Sequence, residues 1–121
     1  MTATTTKPLD FATLRRALID GDADVVTGCY TPAAELHIYD KDRTPSAPRV
    51  IRGRDAIGEL WNDICSREMT HEVDDEVLGD RRVSFVESCR LPDGTQVKAA
   101  SVLELDGGLI ARHQTIVVWD E

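Results

Sequence analysis

No stretch of the chain approaches the roughly 20 consecutive apolar residues of a membrane span, and its opening, MTATTTKPLD, lacks the apolar core of a secretion signal. Basic residues are also short: 14 stand against 22 acidic ones, for a net charge of -8. Such a surface repels phosphate backbones and anionic headgroups, so neither nucleic acid nor a membrane is an expected partner. Cys29, Cys65 and Cys89 are odd in number and lack CxxC spacing, which suits reduced thiols in a cytoplasmic protein rather than a disulfide framework. Paired metal-ligand spacing is missing as well. His71 and Asp75 at strand spacing, with Cys89 as a neighbour, come nearest to it, and no metal or cofactor is expected.

At 121 residues the chain suits one domain with its own core. Residues 1–8, Thr-rich with one proline, read as a disordered arm, which leaves 9–121 as the domain. Asp10 caps a helix whose apolar residues Phe11, Leu14, Leu18 and Ile19 recur at helical spacing up to Gly21. Asp22 caps a second, short helix that Thr31-Pro32 stops. AELHIYD, 34–40, alternates as a first strand with Leu36 and Ile38 on one face, and a loop follows. GRDAIGELWNDIC, 53–65, then gathers Ile57, Leu60, Trp61 and Ile64 on one side of a third helix.

Three hairpin-linked strands and a fourth close the chain, turning at Gly79-Asp80, Pro92-Asp93-Gly94 and Asp106-Gly107-Gly108. Helices followed by a curled antiparallel sheet make an α+β fold. If Leu91 pairs with Thr95, then Cys89 faces Val97, Glu87 faces Ala99, Phe85 faces Ser101 and Val83 faces Leu103. Pairing Leu105 with Leu109 carries this mostly apolar face through Ala111, His113, Thr115, Val117 and Trp119. Pairing Val77 with Val83 adds His71, Val73 and Asp75. The acidic run EVDDE reads as a solvated edge.

The order of helix, Gly21-Asp22, short helix, YTPAAELHIYD strand, Arg52-Gly53-Arg54-Asp55-Ala56-Ile57 helix and curled sheet resembles the SnoaL-like branch of the nuclear transport factor 2 superfamily. That branch includes polyketide cyclases, ketosteroid isomerases and limonene-epoxide hydrolases. The resemblance implies a cone of three N-terminal helices folded against the concave sheet, a pocket between them, and a homodimer through the outer sheet face. It also locates what is missing. The isomerases' tyrosine and aspartate positions fall at Leu14 and Ile38, and their protonated aspartate falls near Ser101. The hydrolases' aspartates and arginine fall at Thr115, Val86 and Ser84. One scaffold hosts many chemistries, so the fold alone names no reaction.

On the inferred inner face, Glu87 lies among Phe85, Val97 and Ala99, where a carboxylate suits general acid or base work. His113, placed opposite Ser101 and diagonal to Glu87, is its partner or a proton donor. The competing reading has Glu87 at the rim, or paired with His71 or His113 only to satisfy a buried charge. Asp40, on the face of Ile38, is a second candidate base, unless it is simply a solvated strand end. Ser101 and Thr115 would orient an oxygen. Trp61, Tyr30, Phe85, Cys89, His71 and Val117 would complete the wall around a hydrophobic, cyclic or polyketide-like small molecule. A pocket that only binds, or a dimerisation module, is the alternative to an enzyme.

Overall fold

The computed structural model describes residues 8–121, so the arm expected at 1–8 lies, except for Pro8, outside the described residues. Helix α1 spans Phe11–Asp20. It starts where the Asp10 carboxylate accepts from the Thr13 backbone N–H at 3.1 Å and from the Thr13 hydroxyl at 2.7 Å. It stops at Gly21, whose φ of 71° is a left-handed cap that a side chain would strain. The Asp22 carboxylate then accepts from Val25 N–H at 3.2 Å to start α2, Ala23–Gly28. Helix α3 covers Arg54–Ser66 and buries Ile57, Gly58 and Trp61. It lies so close to α2 that a Cβ on Gly58 would stand 2.9 Å from the Thr27 methyl carbon.

Six strands form one curled sheet: β1 Tyr30–Tyr39, β2 Arg49–Arg52, β3 Thr70–Leu78, β4 Arg82–Arg90, β5 Gln96–Asp106 and β6 Leu109–Trp119. Their order is β2-β1-β6-β5-β4-β3. The expected antiparallel sheet is in fact mixed, because β1 and β6 run parallel while the other neighbours are antiparallel. Both strands start at the same end of the sheet, where Ile110 N–H donates to the Cys29 carbonyl at 2.7 Å. Nor are all three helices N-terminal, since α3 follows β1 and β2. Strand β1 begins at Tyr30, ahead of the expected Ala34, and carries Pro32 inside the irregular stretch between Tyr30 and Glu35, where a missing N–H is tolerated. The short β2 occupies part of the expected loop.

Register decides what faces inward. Strands β4 and β5 pair as the Pro-Asp-Gly turn dictates, with Val83 opposite Leu103, Phe85 opposite Ser101, Glu87 opposite Ala99 and Cys89 opposite Val97. Between β5 and β6 the register differs from expectation by two. Gly107 and Gly108, at φ 60° and 81°, make a two-residue turn that pairs Asp106 with Leu109, and a bulge at Glu104/Leu105 follows. Thr115 therefore opposes Ser101, and His113 opposes Leu103. Ile110, at 1% exposure, takes the inward place expected for Ala111. In β3 an irregularity between Asp74 and Val77 holds Asp75 at φ 57°, exposed, which removes it from the face of His71.

The core joins Leu14, Leu18 and Phe11 of α1 to Val26, Ile57 and Trp61 and to Leu36, Phe85, Leu103 and Ile110 of the sheet. Burying each such side chain contributes about 1.5–3 kcal/mol. None of the described helices is long and apolar enough to cross a membrane.

Candidate functional site

Between α3 and the concave side of the sheet lies a cavity of about 490 Å³, within the range of small-molecule pockets. Its wall is mainly apolar, with Leu36, Ile38, Leu60, Ile64, Val97 and Trp119 among the lining side chains. Of the residues singled out from sequence, Glu87, His113, Thr115, Trp61, Cys89 and Val117 line it. Tyr30, Ser101, Phe85 and His71 stand behind the lining, and Phe85 packs instead on Phe11 with ring centroids 5.6 Å apart. Asp40 is not in the wall; its carboxylate accepts from Asp42 N–H at 2.8 Å within a turn bridged to Arg43. Arg67, Glu68 and Met69, which also line the cavity, follow the end of α3, where no periodicity marks them in the sequence.

One polar group is a chain of five residues drawn from β1, α3, β5 and β6, of which Trp61, His113 and Thr115 line the cavity. The Trp61 indole N–H, which can only donate, reaches the Tyr30 oxygen at 3.2 Å. The phenol lies 2.8 Å from His113 Nδ1, whose Nε2 is 2.9 Å from Ser101 Oγ. Ser101 Oγ in turn donates to Thr115 Oγ1 at 3.1 Å. Burial lowers the His113 pKa to about 3, so the ring is neutral, and burial raises that of the Tyr30 phenol, so its proton stays on. Proton counting then assigns the tautomer: Tyr30 donates its single proton to Nδ1, and Nε2–H donates to Ser101. The chain runs one way, from Trp61 to Thr115, and does not use the Thr115 hydroxyl proton, which belongs to a residue lining the cavity.

The second group is compact. His71 Nδ1 lies 3.1 Å from Glu87 Oε2 and 3.1 Å from Cys89 Sγ, and the sulfur is 3.8 Å from the same carboxylate oxygen. Glu87 is 8% exposed and pairs with no Lys or Arg among the described residues. Burial, with the neighbouring Glu87 charge, pushes the Cys89 thiol up to about 12, so it is protonated. The expected Glu87–His113 pair does not form, because His113 is committed to Tyr30 and Ser101 and the glutamate to His71.

Fold and pocket together define an NTF2-like α+β protein with an internal small-molecule-sized cavity. Residues 11–113 match the SnoaL-like domain family, and the chain belongs to it. An NTF2-like protein of unknown function from Mesorhizobium loti shares the fold at TM-score 0.76 and 14% identity, over 89% of this chain and 87% of that one. A putative ketosteroid isomerase from Kribbella flavida does so at TM-score 0.71 and 14% identity, over 92% and 75%. The epoxide hydrolase/cyclase-like enzyme SalBIII, from pyran ring formation in the polyether salinomycin, is similar at TM-score 0.67 and 25% identity, over 91% and 87%. No curated protein matches the chain significantly. Ile38, where the isomerases' base would align, and Thr115, where a hydrolase aspartate would, both line the cavity without a carboxylate.

Proposed function

We propose that the protein is an acid–base enzyme acting on a hydrophobic, cyclic or polyketide-like metabolite in the cytoplasm. The observation that carries this reading is a buried carboxylate, Glu87, set in an apolar cavity with no Lys or Arg partner among the described residues, in a wall that also presents the Thr115 hydroxyl. In the proposed step Glu87 takes a proton from the bound substrate while Thr115 donates to the substrate oxygen on which negative charge develops. Proton transfer of this kind asks for no cofactor. The likeness to a cyclase-like enzyme of polyether ring formation supports a ring-forming or ring-isomerising reaction.

The test is a turnover screen over hydroxy-epoxides, enones and cyclic ketones, preceded by thermal-shift selection of stabilising compounds. Glu87→Gln should abolish turnover while leaving ligand stabilisation in place. Binding without turnover across that panel would favour a non-catalytic pocket of the same fold, and no stabilisation at all would overturn both.

A homodimer through the outer sheet face belongs to the same proposal. Ile116 and Val118 stand there 60% and 61% exposed, with Val102 beside them at 42%. Light scattering should give twice the chain mass, reduced to a monomer by Ile116→Lys.

A further inference from the structure

We infer that His71 Nδ1, Glu87 Oε2 and Cys89 Sγ form a site for a single zinc ion whose fourth coordination position opens to the cavity. Three lone-pair donors converge here, one from β3 and two from β4, with separations of 3.1, 3.1 and 3.8 Å. Around tetrahedral zinc, with its usual bond lengths to N, O and S, ligand atoms stand roughly 3.3–3.6 Å apart, so the trio is already within about half an ångström of that arrangement. The sheet register explains the convergence. His71 lies directly opposite Cys89, and Glu87 is two residues from Cys89 on the same face.

Without a metal, the Glu87 carboxylate has only the His71 imidazole and the Cys89 thiol as partners, and no Lys or Arg among the described residues. Buried charges are paired or coordinate metals. A thiolate, a carboxylate and a neutral imidazole together neutralise a divalent ion, which an apolar wall then tolerates. The mixed N, O and S set suits zinc, a borderline-soft ion, better than calcium or magnesium. Because Glu87 and Cys89 line the cavity, the remaining position faces it and would hold water or a ligand oxygen, as in zinc sites with three protein ligands. On binding, the Cys89 thiol proton leaves to solvent and its sulfur becomes the zinc-bound thiolate.

This site goes beyond the acid–base proposal, because a bound zinc takes Glu87 out of proton transfer. The full chain, stripped with EDTA, is titrated with cobalt(II) as a spectroscopic probe and then with zinc. One cobalt per chain should bind with a thiolate-to-metal charge-transfer band in the near ultraviolet, and zinc should displace it. Cys89→Ser should remove the band, while the Cys29→Ser/Cys65→Ser double variant keeps it. His71→Asn, which retains the thiol, should weaken zinc at least about 100-fold and covers the case in which Cys89→Ser fails to fold. No band in the native chain, or a band that survives in a folded Cys89→Ser chain, overturns the site. The acid–base reading is judged separately: turnover lost in Glu87→Gln and insensitive to EDTA supports it, whatever the cobalt spectra show.

Discussion

On one side of the cavity, Trp61, Tyr30, His113, Ser101 and Thr115 are joined by successive hydrogen bonds that run in one direction. On the other, His71, Glu87 and Cys89 crowd a single nitrogen against an anion and a thiol. The first spans helix and sheet and holds its geometry by a directed run of hydrogen bonds, whereas the second gathers a carboxylate, an imidazole and a thiol at one point, with no Lys or Arg beside the carboxylate among the described residues. A directed chain positions; a cluster of three ligand-type groups beside a cavity reacts or binds. The sharpest way to break this contrast is Glu87→Gln. It keeps size and hydrogen bonding but removes the negative charge, and turnover should fall about 10²–10⁴-fold. A variant retaining full rate would make Glu87 no more than a satisfied core residue.

His113 offers the next largest effect, on stability rather than rate. Its pKa is held at about 3 in the fold by burial, whereas an unfolded histidine titrates near 6.5. Between those values the unfolded chain binds the extra proton and the folded chain does not. Stability is therefore fully present above about pH 6.5 and declines by about 1.4 kcal/mol per pH unit as the pH falls toward 3. Denaturant titrations of the native chain and His113→Gln across that window should show this slope flattened in the variant, against the background of the carboxylates. An unchanged slope would mean that His113 is protonated inside the fold, and the chain of donors would lose its direction.

Most of this was legible where local chemistry governs. The Asp10 and Asp22 caps, the apolar face of the third helix and the Pro92-Asp93-Gly94 hairpin follow from short-range rules, and the last of these put Glu87 on the inner face. Bulges were not legible. The one at Glu104/Leu105 and the two-residue glycine turn each displaced the β6 register by one, an even total, so His113 and Thr115 stayed inside while taking new partners. The irregularity in β3 is odd, and it turned Asp75 outward. Glu87's partner depended on which histidine was already occupied. Tyr30, which engages His113, sits in a strand that begins before Pro32, where sequence rules place a stop. The parallel β1–β6 pairing that brings them together spans nearly the whole chain, beyond the reach of any local pattern.

A smaller effect separates the end of the satisfied chain from its middle. Thr115→Val keeps the shape and removes the hydroxyl that donates to the ligand oxygen. Ligand affinity should drop about tenfold, the worth of one good hydrogen bond, with the pH slope of stability unchanged. Equal affinity in the variant would place the ligand oxygen elsewhere, and Arg67, at the end of α3, would be the next donor to test.

Trp61→Phe should have the smallest effect and bears most directly on what gives the chain its direction. The indole N–H supplies only the first bond, 3.2 Å long, and its loss should lower stability by about 1 kcal/mol beyond the change in packing. The Tyr30 phenol would still have a single proton and His113 Nδ1 as its acceptor, because reversing the chain would leave a buried O–H with nowhere to donate. Nitrogen-15 shifts of the His113 ring should thus report the proton on Nε2 in both proteins. If the variant moved it to Nδ1, the direction would be set by the tryptophan rather than the tyrosine, and Ser101 would have to donate to Nε2 in place of Thr115. Thr115 would then lose its incoming donor and could turn its own proton back to Ser101, offering the ligand only lone pairs, so a change at the far end of the chain would invert the polarity of the site.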